Sequence, residues 1–202
     1  MRKYRKAEIS IAIGLIVAIV FSVCGFGADC ADVRDNVVRL HVLANSDSEA
    51  DQNVKLLVRD ALLKSGANIF SGALTAEDAV SMLEKERETI ISVAENVLRE
   101  NGFNYDVSVT VQREYFGTRE YESFTMPAGE YLALKVIIGK GEGKNWWCVM
   151  FPPLCLPAAG EKTDIDAILG KDGAKLIKSN PKYEMRFKIV EIYEQMKAKI
   201  YN

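Results

Sequence analysis

The chain has a single histidine, His41, two residues after Arg39 and a few residues before Asp47 and Glu49. An imidazole near a carboxylate is the smallest outfit for general-base catalysis, so this stretch is where a reaction would be sought first. The supporting parts are missing. No serine or cysteine stands in a nucleophile motif, no paired carboxylates sit in a supporting pattern, and one histidine without a Cys-x-x-Cys spacing is a poor metal site. The alternation of Val37 to Ala44 places Arg39 and His41 on one face of a strand, which favours a structural or interface histidine. No catalytic residue, metal, cofactor or small-molecule substrate is expected.

Two other groups could carry chemistry. Cys148 and Cys155 enclose Val149 to Leu154, with Pro152 and Pro153 between them. A disulfide needs Cα atoms about 5.5 Å apart, whereas seven extended steps span more than about 20 Å, so the chain must reverse there. In an oxidising compartment a Cys148–Cys155 bridge is the expected use of this pair; two buried thiols are the alternative. Trp146 and Trp147 point to opposite faces of a strand, so one enters the core while the other covers the far side of the sheet or meets a partner. Gly139 to Lys144 has the glycines and lysines of a phosphate loop, but a strand follows it instead of a helix, so a hairpin turn is expected. Asn45, Asp47 and Glu49 lie in a polar run that either caps a helix or forms a recognition loop.

The elements that position these residues follow from periodicity. Residues 37–44 read as a strand, and capping-box spacings (Ser46 with Glu49, Ser48 with Asp51) open a helix carrying Val54, Val58 and Leu62. Gly66 and Gly72 bracket a loop, and Thr75 with Asp78 opens a second helix that ends at Asn101-Gly102. Val107, Val109 and Val111 alternate in a strand, Tyr121 to Met126 forms a short one, and 130–138 pairs with 146–151 as a hairpin. Asp164 to Leu169 reads as a short helix, and Tyr183 to Ile200 starts strand-like and ends helical. The fold class is α+β, a single domain with helices packed on one side of a largely antiparallel sheet.

The N-terminus differs from the rest. Ile9 to Ala28 is twenty residues without a charge, after Arg2, Lys3, Arg5 and Lys6. Twenty helical residues reach about 30 Å, the thickness of a bilayer's hydrocarbon core, and the basic flank stays cytoplasmic. Residues 1–28 are therefore a signal peptide or membrane anchor, and 29–202 an extracytoplasmic domain. The 202-residue chain has a net charge of -2 from 26 basic and 28 acidic residues; without the four N-terminal cations and Glu8, 22 and 27 remain, a net of -5. An acidic domain without a clustered basic surface argues against a nucleic-acid partner.

Residues 39–61, from Arg39-Leu-His-Val-Leu-Ala-Asn-Ser-Asp-Ser-Glu-Ala-Asp-Gln52 to Val58-Arg-Asp-Ala61, resemble the opening motif of the stage II sporulation protein R family. Glu114 to Arg119 with Tyr121, Pro127 to Tyr131, Asn145-Trp-Trp-Cys148 and Phe151-Pro-Pro-Leu-Cys155 agree with it. The resemblance implies an exported signal of endospore formation, made in the forespore. It would cross into the space between forespore and mother cell and activate a membrane-embedded aspartic peptidase that processes pro-sigma-E. Such a ligand needs a surface and no active site. The partner-facing candidates are Arg39, His41, Asn45, Asp47, Glu49, Trp146 and Trp147. The competing classes are an exported cell-wall-directed hydrolase and a membrane-anchored binding module.

Overall fold

The computed structural model describes residues 2–121, 124–155, 165–178 and 184–201. A long helix, α1 (Arg2–Asp35), leads into strand β1 (Val38–Leu43). Helices α2 (Glu49–Ile69), α3 (Ala76–Lys85) and α4 (Arg87–Glu100) follow, then β2 (Val107–Phe116), β3 (Arg119–Glu120), β4 (Thr125–Met126), β5 (Gly129–Ile138) and β6 (Asn145–Phe151). Helices α5 (Ile165–Ile177) and α6 (Glu184–Tyr201) complete the described part. Asp164 and the strand-like start at Tyr183 lie outside the described residues.

The main sheet has the order β2-β5-β1-β6, and β3 pairs with β4 in a separate small sheet. Two of its three pairings are antiparallel and β1–β5 is parallel, so the class is α+β as expected. The expected hairpin is not formed. β5 and β6 both pair with β1, which lies between them, so Gly139 to Lys144 crosses the end of β1. The cause lies in β1: Val38, Leu40 and Val42 are buried on one face, Arg39 and His41 with their hydrogen-bond partners on the other, and a strand covered on both faces belongs in the middle of a sheet.

Helices α2, α3 and α4 cover one face, where Val38, Leu40 and Val42 meet Val54, Val58, Leu62, Leu83, Ile90 and Leu98. The second face is also covered, in part. Phe26, Cys30 and Val33 of α1, with residues of α5 and α6, pack on Phe116, Tyr131, Ala133 and Val149. Helices thus occupy both sides of the sheet and not one, because α1 continues beyond its apolar stretch and brings i, i+4, i+7 contacts to the core.

Local signals explain the other boundaries. Ser48 is the cap of α2, its hydroxyl accepting the Asp51 amide at 3.1 Å, and Thr75 forms a full capping box with Asp78. Gly66 lies inside α2 and not in a loop, facing the end of the Met150 side chain of β6. The expected single helix from Thr75 to Asn101 is divided at Glu86, which ends α3 and begins α4.

Candidate functional site

The register of β1 with β6 pairs Leu43 with Asn145, His41 with Trp147 and Leu40 with Cys148. The start of β6 therefore lies beside the end of β1, at the same rim as the Asn45–Glu49 turn. The glycine loop is fastened to that turn. Gly143 N donates to Ala44 O at 2.9 Å, Lys140 N to Asn45 Oδ1 at 3.1 Å and Lys144 N to Asp47 Oδ1 at 2.7 Å. Gly139 and Gly141 take positive φ angles of 57° and 67°, and a Cβ on Gly143 would overlap the Ser46 carbonyl. Gly143 thus permits a close backbone approach to Ser46, and Gly139 and Gly141 supply the positive φ angles of the turn.

Asp51 gathers the turn from below. Its carboxylate accepts from Asn45 Nδ2 (2.9 Å), Ser46 Oγ (2.6 Å) and Tyr105 OH (3.1 Å). Burial acts to raise its pKa, but the hydrogen bonds from Ser46, Asn45, Tyr105 and Ser48 outweigh this and hold it below the usual carboxylate value. Asn45 thus has both ends of its amide occupied, and Asp47 is an exposed loop clasp. Glu49 stays exposed in the first turn of α2, where the helix N-terminus favours an acidic residue.

Arg39 and His41 are not at the surface where exposure was expected. Arg39 is fully buried, its Nε donating to Cys148 O at 3.0 Å and its Nη2 to Tyr121 OH at 2.8 Å. Its guanidinium lies 4.5 Å from the Phe116 ring centre and 5.0 Å from that of Tyr131. His41 is buried, with Nδ1 2.6 Å from Glu114 Oε2 and Nε2 2.9 Å from Asn145 Oδ1. Glu114 also accepts from Lys135 Nζ at 2.9 Å. Burial raises the Glu114 pKa, while Lys135 and His41 lower it further, leaving it below the ordinary value. An ionised Glu114 can only accept, so His41 Nδ1 carries the proton they share.

In this cluster both ring nitrogens of His41 are engaged, one by Glu114 and one by Asn145. The carboxylate that His41 uses is Glu114, and neither Asp47 nor Glu49 touches it. Strand parity could have signalled Glu114: it lies on the same face of β2 as Thr110 and Gln112, with Lys135 and His41 aligned across β5 and β1.

The tryptophans do point to opposite faces, and both are half-buried, so neither becomes a core side chain. The Arg59 guanidinium lies 4.2 Å from the Trp146 ring centre, and that of Arg119 4.6 Å from Trp147. Neither arginine is evident from spacing, since each reaches its ring from a distant element. Cys148 and Cys155 form a disulfide with Cα atoms 6.2 Å apart, and Val149 N donates to Cys155 Sγ at 3.1 Å. The bridge folds the chain over the outer edge of β6, covering part of an edge strand otherwise open to pairing. Among the described residues no three His, Cys, Asp or Glu side chains form a group able to hold a metal ion. At this rim Asp47 and Glu49 are exposed, as are Lys140, Glu142, Lys144 and Asn145 of the glycine loop and the start of β6.

The stage II sporulation protein R family model matches residues 34–161, which include the sheet, helices α2 to α4 and the bridged loop. The chain is 37% identical over 123 residues to stage II sporulation protein R of Bacillus subtilis (strain 168), covering 61% of this chain and 55% of that relative. The chain thus spans about half the length of the relative it matches. No solved structure matches it. A match across most of the chain, over the same segments that build the rim, shows that this chain belongs to the stage II sporulation protein R family.

Proposed function

We propose that the chain is an exported signal of endospore formation, made in the forespore, that activates the mother cell's membrane-embedded aspartic peptidase for pro-sigma-E. Family membership over residues 34–161 is the observation that carries this reading. Two features support it. Helix α1 contains a segment long and apolar enough to cross a membrane, and the Cys148–Cys155 disulfide suits an oxidising compartment beyond it. His41 and Asp47, two of the side chains that could have served a reaction, are engaged within the fold, which fits a protein acting through its surface.

Activation requires the signal to bind the peptidase's active state more tightly than its inactive one. The Asp47–Glu49 turn and the Trp146–Trp147 strand start form the contact surface in this reading. Co-expression of peptidase and pro-sigma-E in a host that makes no spores tests it. Processing should appear when this chain is exported and vanish when the apolar segment is disabled. Equal processing with and without the chain would refute the proposal.

A further inference from the structure

Helix α6 buries Phe187, Val190 and Glu194 against the protein, and its opposite side is apolar as well. Met185, Ile189, Ile192, Tyr193, Met196 and Ile200 are between 46% and 82% exposed. At about 100° per residue these six fall within an arc of roughly 100°. Both borders of the stripe are cationic: Lys188 and Lys199 flank it on one side, Arg186 and Lys197 on the other, and all of them are exposed. Two carboxylates of the helix lie off this face, Glu191 paired with Lys188 at 3.3 Å and Glu194 with Arg34 at 3.1 Å. An apolar face bordered by long cations on both sides is the pattern of a helix at a lipid interface, where the stems lie along the chains and the charged ends reach phosphates. A second α6 on this face would set cations against cations, whereas phosphates complement them.

Helix α1 sets the depth. Phe187 meets Phe26 with ring centres 5.2 Å apart and Glu194 pairs with Arg34, so α6 runs beside α1 in the same direction. Phe187 is thereby level with the outer end of the uncharged run that closes at Ala28. We propose that the lipid of the bilayer crossed by α1 covers the first half of the stripe, Met185, Ile189 and Ile192, with Arg186 and Lys188 at its phosphates. The proposal rests on reading α1 as a membrane span.

Helical rise makes the placement specific. At about 1.5 Å per residue, Ile189 stands about 3 Å further out than Phe187, at the edge of the hydrocarbon, and Ile192 and Tyr193 enter the polar layer, which is about 5–8 Å deep. A tyrosine at that level suits its apolar ring and polar tip. Ile200, about 20 Å beyond Phe187, rises clear of the headgroups. Beside α6 at the same depth, a cleft of about 310 Å³ opens between α1, α5 and α6, apolar at Phe21, Phe26 and Leu176 and charged at Asp29, Asp172, Lys175 and Arg186. Along α1 its lining changes outward from Phe21 and Phe26 to Asp29, as a leaflet changes from chains to headgroups.

The test uses the purified full chain in vesicles of phosphatidylethanolamine and phosphatidylglycerol brominated along the acyl chains, with Cys24→Ser to remove the exposed thiol of α1. A fluorophore is attached to Val20→Cys, Ile189→Cys, Ile192→Cys or Ile200→Cys in turn. Quenching should be strong at Val20 and Ile189, weaker at Ile192, and roughly threefold or more weaker at Ile200 than at Ile189. Quenching at Val20 with none at Ile189 would overturn the proposal while leaving the span intact, and a protein partner would then be the cover. Equal quenching at Ile189 and Ile200 would also overturn it, because α6 would then lie along the lipid instead of rising from it. No quenching at Val20 would remove the span, and the proposal with it.

Discussion

Glu114 and Asp51 are two carboxylates that the fold holds ionised, and their effect on stability has a definite sign. Each is pushed below its ordinary value by the donors around it despite burial. The stability each contributes is complete above the ordinary carboxylate pKa and is lost as pH falls through the lowered folded value. Urea unfolding midpoints should therefore stay nearly flat from pH 7 to about 5 and fall between about pH 5 and 3. Glu114→Gln and Asp51→Asn should each cost about 1–3 kcal/mol at neutral pH and each show a shallower acid decline than the parent. A variant whose decline matched the parent's would remove that carboxylate from the account. The burial of Arg39 was not legible: alternation gave its face, but the Phe116, Tyr131 and Tyr121 rings that receive it come from β2, β5 and the segment beyond β2.

At the scale of elements, the lock between the Asn45 turn and the glycine loop is the feature local sequence could least convey. The run from 130 to 151 reads as a hairpin because two strands flank a short glycine loop. The competing fact, a parallel β1–β5 pairing, depends on contacts about ninety residues apart. Strand β1 and the Ser48 cap were legible because both are encoded within a few residues. Gly143→Ala should disrupt the lock and lower the melting temperature by several degrees, equivalent to about 1–3 kcal/mol. Asn45→Ala should cost a similar amount because it releases Asp51 and the Lys140 amide together. Glu49→Ala, an exposed change, should stay within about 0.5 kcal/mol, so loss of signalling in that variant would report contact and not folding. Breaking the Cys148–Cys155 bridge with Cys155→Ser should cost about 2 kcal/mol, read by thermal melting with and without reductant.

Across the whole molecule, the apolar segment and the globular part are joined by one helix instead of a linker. Phe26, Cys30 and Val33 put the last turns of α1 in the second core, and Arg34 there pairs with Glu194. Composition located the apolar run, but the continuation of its helix into the core was hidden because residues 29–36 are charged at Asp29, Asp32, Arg34 and Asp35. A chain starting at residue 29 should fold with reduced stability after losing Phe26. One starting at residue 36 should lose the second core, with hydrogen exchange accelerating in α6 and at Tyr131 while α2 to α4 remain protected.

The central claim, that this family member works by switching on a peptidase, is most directly tested by reconstitution. The purified peptidase is placed in lipid vesicles with pro-sigma-E on its cytoplasmic side, and the full chain is presented in vesicles facing its outer side. The account predicts that cleavage rises by roughly tenfold or more and that Glu49→Ala together with Trp147→Ala abolishes the rise while the chain stays folded. Cleavage at the same rate with the chain, without it, and with the double variant would contradict it.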